Sequence, residues 1–576
     1  MTSRVVTTGL AAAALAAALL PQPALAQPMT LPVAKSPSRS LTVKVTGLPK
    51  RTKAAVTIKR KGYKKLLKRS KTLKRMKPGK YRIVARKVRV GGSSYVPAPK
   101  KQTVRVTSGK GKRVRIRYRL VTAPTPPIPP IPPPVAPVSE FRVGDRELTS
   151  VSLSWASSQD SVVVRRAVGR TAPDSIDAGI PVAVTQGSAR DTGLAPGTEY
   201  SYAAFVIAGD GRVSAPTVLT VKTLGISSIS AGGDHTCLLV DDGSIRCWGD
   251  NSAGQLGDGT LAPTEVSTVV GVSDAIAVSA GRQHSCAIRS DRSVVCWGYG
   301  NNGELGNNDT INSGTPVPVA LGLDKAFTLS SGDGFSCASL LGGRVKCWGL
   351  GNAGQMGDGA ANTINKVPVQ VTGVTTALSV SAGSGAACAS LVDGTGRCWG
   401  FNDSGQLGVP FPPSNQLSPV QVVGLADSQA IGIGNSHACA RSIGAGGVQC
   451  WGRNDAGQLG DGSFNNSTSP VNTSVNAVTS LSVGGFSSCA TLGGGTVKCW
   501  GGNGSGQIGD GTFTDVNSPV QVVGLGDASS VSAGYQHVCA TRVNQLPVCW
   551  GAGNSGQLGD GGTADRATPV PATVLR

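Results

Sequence analysis

The residues of this chain with chemistry to offer are its fourteen cysteines, four histidines and eight tryptophans, and all but Trp155 lie between His235 and Trp550. Cysteine pairs can hold zinc, exchange electrons or close structural bridges. Here they come as Cys237/Cys247, Cys286/Cys296, Cys337/Cys347, Cys388/Cys398, Cys439/Cys450, Cys489/Cys499 and Cys539/Cys549, ten positions apart in every copy but the fifth, where the separation is eleven. Zinc sites gather four ligands and usually leave about two to four residues between paired cysteines. This spacing favours bridges instead. Asp-Gly or Gly-Gly falls near the midpoint of most copies, the signature of a hairpin. With Asp241, Asp242 and Gly243 in the turn, Val240 pairs with Ser244 and Cys237 lies opposite Cys247. Opposed residues at a non-hydrogen-bonded pair stand about 4.5 Å apart at Cα, near the short end of disulfide geometry. Each bridge contributes roughly 2.5–3 kcal/mol on the loop-closure account. All fourteen cysteines are then in structural pairs, and none remains for catalysis or metal.

His235, His284, His437 and His537 each sit two residues before the first cysteine of their copy, a position that Phe335, Ala386 and Ser487 fill in the other three. A ring of metal ligands does not fit that pattern, and a structural hydrogen bond does. The carboxylates Asp258, Asp358, Asp461, Asp510 and Asp560 recur in a GDG turn, where Asp bonds its own backbone. No Ser/His/Asp set or carboxylate pair stands outside the repeat. The expectation is a non-enzymatic protein with no catalytic residue, no cofactor and no metal.

The elements that position these residues follow from the period. Trp248, Trp297, Trp348, Trp399, Trp451, Trp500 and Trp550 each follow a second cysteine, at intervals of 49, 51, 51, 52, 49 and 50 residues. Such a repeat accommodates one four-stranded antiparallel sheet, a propeller blade, and seven of them close a ring because each sheet needs neighbours on both faces. Helical periodicity is absent, and Gly, Asn, Asp and Ser punctuate the short apolar runs. Successive strand residues face opposite ways, so each blade turns a disulfide to one side and an indole to the other. The indole of one blade should meet the disulfide face of its neighbour.

Spelled out as SAGxxHSCAL…DGxVxCWGxNxxGQLGDGT, the unit resembles the repeat of the regulator of chromosome condensation family over about residues 225–576. The resemblance implies a seven-bladed propeller whose face loops contact other proteins. The founding member exchanges guanine nucleotide on a small nuclear GTPase through a wedge inserted into a blade, and docks on nucleosomes. The even period leaves no room for that wedge. Secreted bacterial relatives include an inhibitor of β-lactamases, and the context of this chain is closer to that branch. The pattern breaks at Glu304-LGNND in the second copy, at Val409-PFPPSN in the fourth and at Val543-NQLP in the seventh hairpin.

The N-terminal part reads differently. Arg4, an apolar run from Leu10 and Ala24-Leu25-Ala26 before Gln27 form a secretory signal peptide over residues 1–26, and its apolar stretch is too short for a membrane span. Export supplies the oxidising compartment that persistent disulfides need. Residues 1–139 hold 32 of the 55 Lys and Arg and no acid, while the remainder sets 23 bases against all 32 Asp and Glu. Within residues 27–122, alternating runs such as KRVRIRYRL predict a small β-sandwich with a cationic exterior, suited to polyanions such as anionic cell-wall polymers or extracellular DNA. Aromatic interleaving is thin (Tyr63, Tyr81, Tyr95, Tyr118), which speaks against base-specific recognition. Residues 123–138 form a polyproline linker, roughly 50 Å long at about 3.1 Å per residue. Residues 139–223, with Trp155 on an early strand and Leu194-APGTEYSY later, resemble a fibronectin type III domain, with Tyr200 and Tyr202 where its tyrosine corner falls.

The fold expected is thus all-β: a basic β domain, a fibronectin type III-like sandwich and a seven-bladed propeller over residues 224–576. The functional reading is a secreted or envelope-retained binding protein. Its cationic module holds anionic envelope polymer, and its propeller loops take a protein partner through residues such as Phe411, Phe464 and Phe513. Inhibition of a secreted enzyme such as a β-lactamase is the alternative. Nucleotide exchange is a further one, disfavoured by the export signal and the missing wedge.

Overall fold

The computed structural model describes residues 39–107, 109, 111–121, 132–156, 161–410, 414–442 and 447–576. The expected signal peptide, most of the proline linker and Phe411 lie outside these residues. The chain divides into two compact units, Met1–Pro132 and Pro133–Arg576.

In the first unit, one sheet runs in the order Lys71–Leu73, Leu41–Thr46, Lys112–Val121, Ser93–Ala98, Val88–Val90. The other runs Tyr63–Leu67, Val56–Arg60, Gly79–Ala85, Lys101–Val106. Leu41, Val43, Val56, Ile58, Ile83, Val114, Ile116 and Tyr118 close a single core between them. The alternation of apolar and basic residues sends every second side chain inward and leaves the cations outside.

The second unit opens with a sandwich of two four-stranded sheets. Arg142–Arg146, Ser150–Ser154, Ser188–Thr192 and Val184–Thr185 form one, and Ile180–Val182, Ser161–Val168, Glu199–Ile207 and Thr217–Lys222 the other. Tyr200 is the corner residue: its hydroxyl accepts the backbone N–H of Ala195 at 2.8 Å. Tyr202 instead points into the core and donates to Asp191 Oδ2 at 2.8 Å, beside the Arg166–Asp191 ion pair. Burial, before the neighbouring carboxylate, pushes its phenol far above the ordinary range. Val135 and Val138, placed in the linker by their proline-rich context, pack on this core, so the sandwich starts before residue 139.

Seven four-stranded sheets follow, each built from consecutive strands. The first takes Ile226–Ala231, His235–Val240, Ile245–Gly249 and Thr264–Thr268, and the last Ala528–Ala533, His537–Arg542, Gln545–Gly551 and Arg566–Pro571. Among the described residues, no strand is exchanged between the ends. The ring closes through contacts of the last blade with the first: Tyr535 N–H donates to Gly232 O at 2.9 Å and Ala231 N–H to Ser532 Oγ at 3.0 Å.

Innermost strands lead into a run that reads Ser-Ala-Gly in four copies and keeps its glycine in all seven, and close approach at the axis explains that glycine. A Cβ on Gly232 would stand 2.5 Å from the carbonyl oxygen of Gly281 on the next blade, and the same relation passes round the ring until Gly534 meets Gly232 O at 2.4 Å. The serine two positions earlier accepts the next blade's backbone N–H, as Ser230 does from Ala280 and Ser279 from Ser331, both at 2.9 Å. Gly432 interrupts this serine series in the fifth blade, where Val483 fills the space instead.

Candidate functional site

Between blades, the repeat residues make one recurring joint. Cys237 and Cys247 pair in register and are bonded, with Cα atoms 4.1 Å apart. Cys286–Cys296, Cys337–Cys347, Cys388–Cys398, Cys439–Cys450, Cys489–Cys499 and Cys539–Cys549 are bonded in the same way, at Cα separations of 4.0–4.1 Å. These distances are shorter than the 4.5 Å or so expected of a directly opposed pair. The eleven-residue spacing of Cys439 and Cys450 leaves the pairing intact, so the extra residue is absorbed in the hairpin between them.

All fourteen cysteines and all seven repeat tryptophans are fully buried. The disulfide of each blade shares a core with the tryptophan of the next. Cys237–Cys247 packs with Trp297, Cys286–Cys296 with Trp348, Cys337–Cys347 with Trp399 and Cys388–Cys398 with Trp451. Cys439–Cys450 packs with Trp500, Cys489–Cys499 with Trp550 and, across the seam of the ring, Cys539–Cys549 with Trp248. Trp297 donates its indole N–H to the carbonyl of Gln255 at 2.9 Å. Gly257, at φ +74°, packs on the same ring, a Cβ there standing 2.7 Å from Nε1. The GQLG segment is therefore a cradle for the neighbouring indole.

The histidines lie beneath the axial glycines and also join blades. His235 Nε2 meets Ser285 Oγ at 2.8 Å, His284 meets Ser336 at 2.7 Å, His437 meets Ser488 at 2.9 Å and His537 meets Thr236 at 2.8 Å. The Ser285 hydroxyl donates to Gln255 O, so His235 Nε2 carries the proton and its Nδ1 is left without a partner. Burial pushes His235 and His437 down to about 3 and His284 and His537 down to about 4, which keeps all four neutral. The GDG carboxylates serve their own turns: Asp258 Oδ1 accepts the N–H of Thr260 at 2.9 Å and Asp510 Oδ1 that of Thr512 at 2.9 Å. Among the described residues, no group of three or more His, Cys, Asp or Glu could hold a metal.

What can recognise another molecule lies at the ends of the strands. In an antiparallel blade, the turn between first and second strands and the loop between third and fourth emerge on one face. The cysteine hairpin and the connection to the next blade emerge on the other. The hairpin face is partly occupied by the sandwich. Leu148 is fully buried with Leu238, Val240 and Leu575, Glu147 pairs with Arg246, and Lys222 Nζ lies 3.8 Å from Asp241.

The loops after the GDG turns place Phe464 and Phe513 on the opposite face, 51% and 54% exposed on adjacent blades. Sequence reasoning singled out these two; it did not identify Leu261 and Ile311, which are exposed in the corresponding loops of the first two blades. Near the axis the same face opens into a cavity of about 340 Å³ lined by the serines and glycines of the innermost strands. Its rim holds Arg282, whose guanidinium bonds Asp333 at 2.8 Å and stands 5.0 Å from the centre of the Tyr535 ring, with Phe486 edge-on to Tyr535 at 5.4 Å. The signal for this rim was the position just after the Ser-Ala-Gly run, which changes from copy to copy (Gly233, Arg282, Asp333, Ser384, Asn435, Gly485, Tyr535) while its neighbours repeat. Arg282 and Tyr535 flank Gly233 and meet above it, the cation against the aromatic face.

Glu304 takes the place of the GQLG glutamine in the second blade and is buried, its Oε2 accepting Asn302 N–H at 2.7 Å. Burial raises it to about 7. The fully buried His–Ser and His–Thr pairs are tied in structural bonds between blades, and the rim residues offer contact surface.

Comparison with known proteins agrees with this architecture. Residues 226–255 and 275–304 match one form of the regulator of chromosome condensation (RCC1) repeat, and residues 242–288, 398–441, 445–491 and 494–541 match another. The chain is 31% identical over 273 residues to the E3 ubiquitin-protein ligase HERC2 of Mus musculus, covering 45% of this chain but 6% of that protein, so it spans a small part of that relative. Among solved structures, it is similar to yeast RCC1 (Prp20) from its complex with Kap60, with TM-score 0.51, 21% identity, and coverage of 57% of this chain and 83% of that one. Human WBSCR16 is similar at TM-score 0.51 and 22% identity, with coverage of 58% and 91%. The joints between disulfide and indole, the cradling GQLG segments and these matches make the C-terminal part of this chain a propeller of regulator of chromosome condensation (RCC1) repeats.

Proposed function

We propose that this is an exported, non-enzymatic binding protein that takes a protein partner on the propeller face opposite its cysteine hairpins while its N-terminal unit holds anionic envelope polymer. RCC1-type propellers bind protein partners, and the observation that carries the reading here is the asymmetry of the two faces. The sandwich covers part of the hairpin face at the seam, whereas the other presents Phe464 and Phe513 around a rim of Arg282 and Tyr535. Aromatic and arginine anchors are the side chains that dominate recognition energetics. Seven buried disulfides suit an oxidising compartment, and no helix among the described residues is long and apolar enough to cross a membrane.

An enzyme that the propeller inhibits is one class of such a partner; the exchange-factor reading draws on the RCC1 likeness alone. The test is affinity capture from the secreted and envelope fractions of the source cells with the full chain and with Phe464→Ala/Phe513→Ala, at low and high salt. A protein retained at high salt by the wild type and lost with the double variant supports the reading. A capture profile identical for both chains would remove the Phe464 and Phe513 face from it.

A further inference from the structure

The first unit contains no Asp or Glu, so none of its cations is held by an internal ion pair. On the other sheet exposed cations sit side by side across strands, Lys59 beside Lys64 and Arg82, and Lys80 beside Arg105. On the strand Lys112–Val121 they run along one strand instead: Val114, Ile116 and Tyr118 are buried in the core, which forces Arg113, Arg115, Arg117 and Arg119 outward in a single file. That strand lies inside its sheet, paired with Leu41–Thr46 on one side and Ser93–Ala98 on the other. The register brings Thr42, Lys44 and Thr46 beside Arg113, Arg115 and Arg117, and Ala98 and Val96 beside Arg117 and Arg119. Apart from Lys44 these neighbours are short, so the guanidinium groups stand clear above them.

We propose that this arginine file is a binding track for a linear polyol-phosphate chain, one phosphodiester per arginine; it rests on the reading above that the N-terminal unit binds anionic polymer. The argument is metric. Alternate residues of a strand recur every six backbone bonds, about 6.7 Å. A glycerol-phosphate polymer also recurs every six bonds from phosphorus to phosphorus, which by ordinary bond lengths spans roughly 7 Å when extended. Charge spacing and arginine spacing therefore stay in step over four repeats. Arginine suits the task because its planar fork bonds two phosphate oxygens at once. A nucleic acid strand shares the six-bond repeat, but binding it without sequence preference usually relies on aromatic side chains under the bases. Here Tyr118 is buried and no exposed aromatic side chain flanks the file, so the polymer it fits carries no bases.

The experiment measures binding of the full chain to poly(glycerol phosphate) and to oligothymidylate of equal charge across a salt series. It compares the wild type with two quadruple variants of exposed cations, Arg113→Gln/Arg115→Gln/Arg117→Gln/Arg119→Gln on this sheet and Lys59→Gln/Lys80→Gln/Arg82→Gln/Arg105→Gln on the other, each checked for an unchanged melting temperature. Four phosphate contacts correspond to a slope of log K against log salt of about −2.8. The arginine-file variant should lose about that much slope and at least tenfold in affinity at low salt, the control variant much less, and the wild type should prefer the glycerol polymer. Equal losses in the two variants would overturn the track and leave diffuse polyanion binding standing. Preference for oligothymidylate would overturn the polymer class. No binding of either polymer by the wild type would overturn both the track and the anchoring reading beneath it.

Discussion

Trp248 donates its indole N–H to the carbonyl of Gln557 at 3.0 Å across a sequence separation of 309 residues, and with that bond the last blade receives the first. The seam is built from the same parts as every other joint: Cys539–Cys549 beneath the indole, Gly559 against its edge, and His537 bonded to Thr236. It needs no exchanged strand because each blade offers its neighbour the same two faces.

The indole bond can be weighed by comparison within the molecule. Trp399 donates to the carbonyl of Gln355 at 2.8 Å, whereas the equally buried Trp500 has no partner for its Nε1. Trp399→Phe and Trp500→Phe leave similar voids, and only the first strands a buried carbonyl. Trp399→Phe should be the more destabilising by about 1–3 kcal/mol in the denaturant-induced transition of the propeller; equal losses would assign no net stabilisation to the bond.

Gly257 tests the cradle. A methyl group there meets Trp297 at 2.7 Å, on a backbone at φ +74°. Gly271, at φ +72°, has nothing within 4 Å of a Cβ. Gly271→Ala should cost about 1–2 kcal/mol from the backbone alone, and Gly257→Ala a further 1–3 kcal/mol or so from overpacking. Melting temperatures of the two variants separate these contributions.

The four buried histidines make the propeller sensitive to acid. Their folded-state values, about 3 for His235 and His437 and about 4 for His284 and His537, lie below the unfolded value near 6.5, so the unfolded chain binds the protons first. Stability from these groups is complete above pH 6.5 or so and is lost as pH falls towards 3–4, at up to about 1.4 kcal/mol per unit of pH for each histidine. His437→Phe, which copies the side chain of Phe335 in the third blade, should reduce the slope of stability against pH in that window.

Glu304 acts in the opposite direction. Its folded-state value, raised by burial to about 7, means that its protonated form favours the fold, so its contribution is present below about pH 4.5 and is lost as pH rises through 7. Gln255, its counterpart in the first blade, both accepts the N–H of Ala253 at 2.9 Å and donates to Asp250 at 2.6 Å without titrating. Glu304→Gln should leave stability at pH 4 little changed and raise it by roughly 3 kcal/mol at pH 8, as read from denaturant titrations at the two values.

Much of this protein was legible in its sequence because the information is local. Cys237 and Cys247 are ten residues apart on one hairpin, so the turn residues between them set their pairing, and the strand period then places Trp248 on the other face. The same logic holds for Cys296, Cys347, Cys398, Cys450 and Cys499, each found bonded to the cysteine that begins its hairpin. On Lys112–Val121 the period separates Val114, Ile116 and Tyr118 from the arginines between them. Phe464 and Phe513 could be singled out because they are large aromatic side chains in the loops after the GDG turns.

Relationships between distant residues needed the assembled ring. A period places His235 in its blade but cannot say that its proton goes to Ser285 of the next, or that Gly232 is glycine because Gly281 O approaches it. Arg282 and Tyr535 lie 253 positions apart and meet only when the ring closes. The docking of Leu148 and Glu147 against blade one likewise has no periodic signal, yet it occupies part of the hairpin face. What each blade is could be read from the chain alone, because strand register is set by neighbours a few residues away. That an indole meets its neighbour's disulfide face followed from the strand period too, but the individual bonds between blades and the docking of the sandwich did not, because those contacts exist only after all seven sheets have packed.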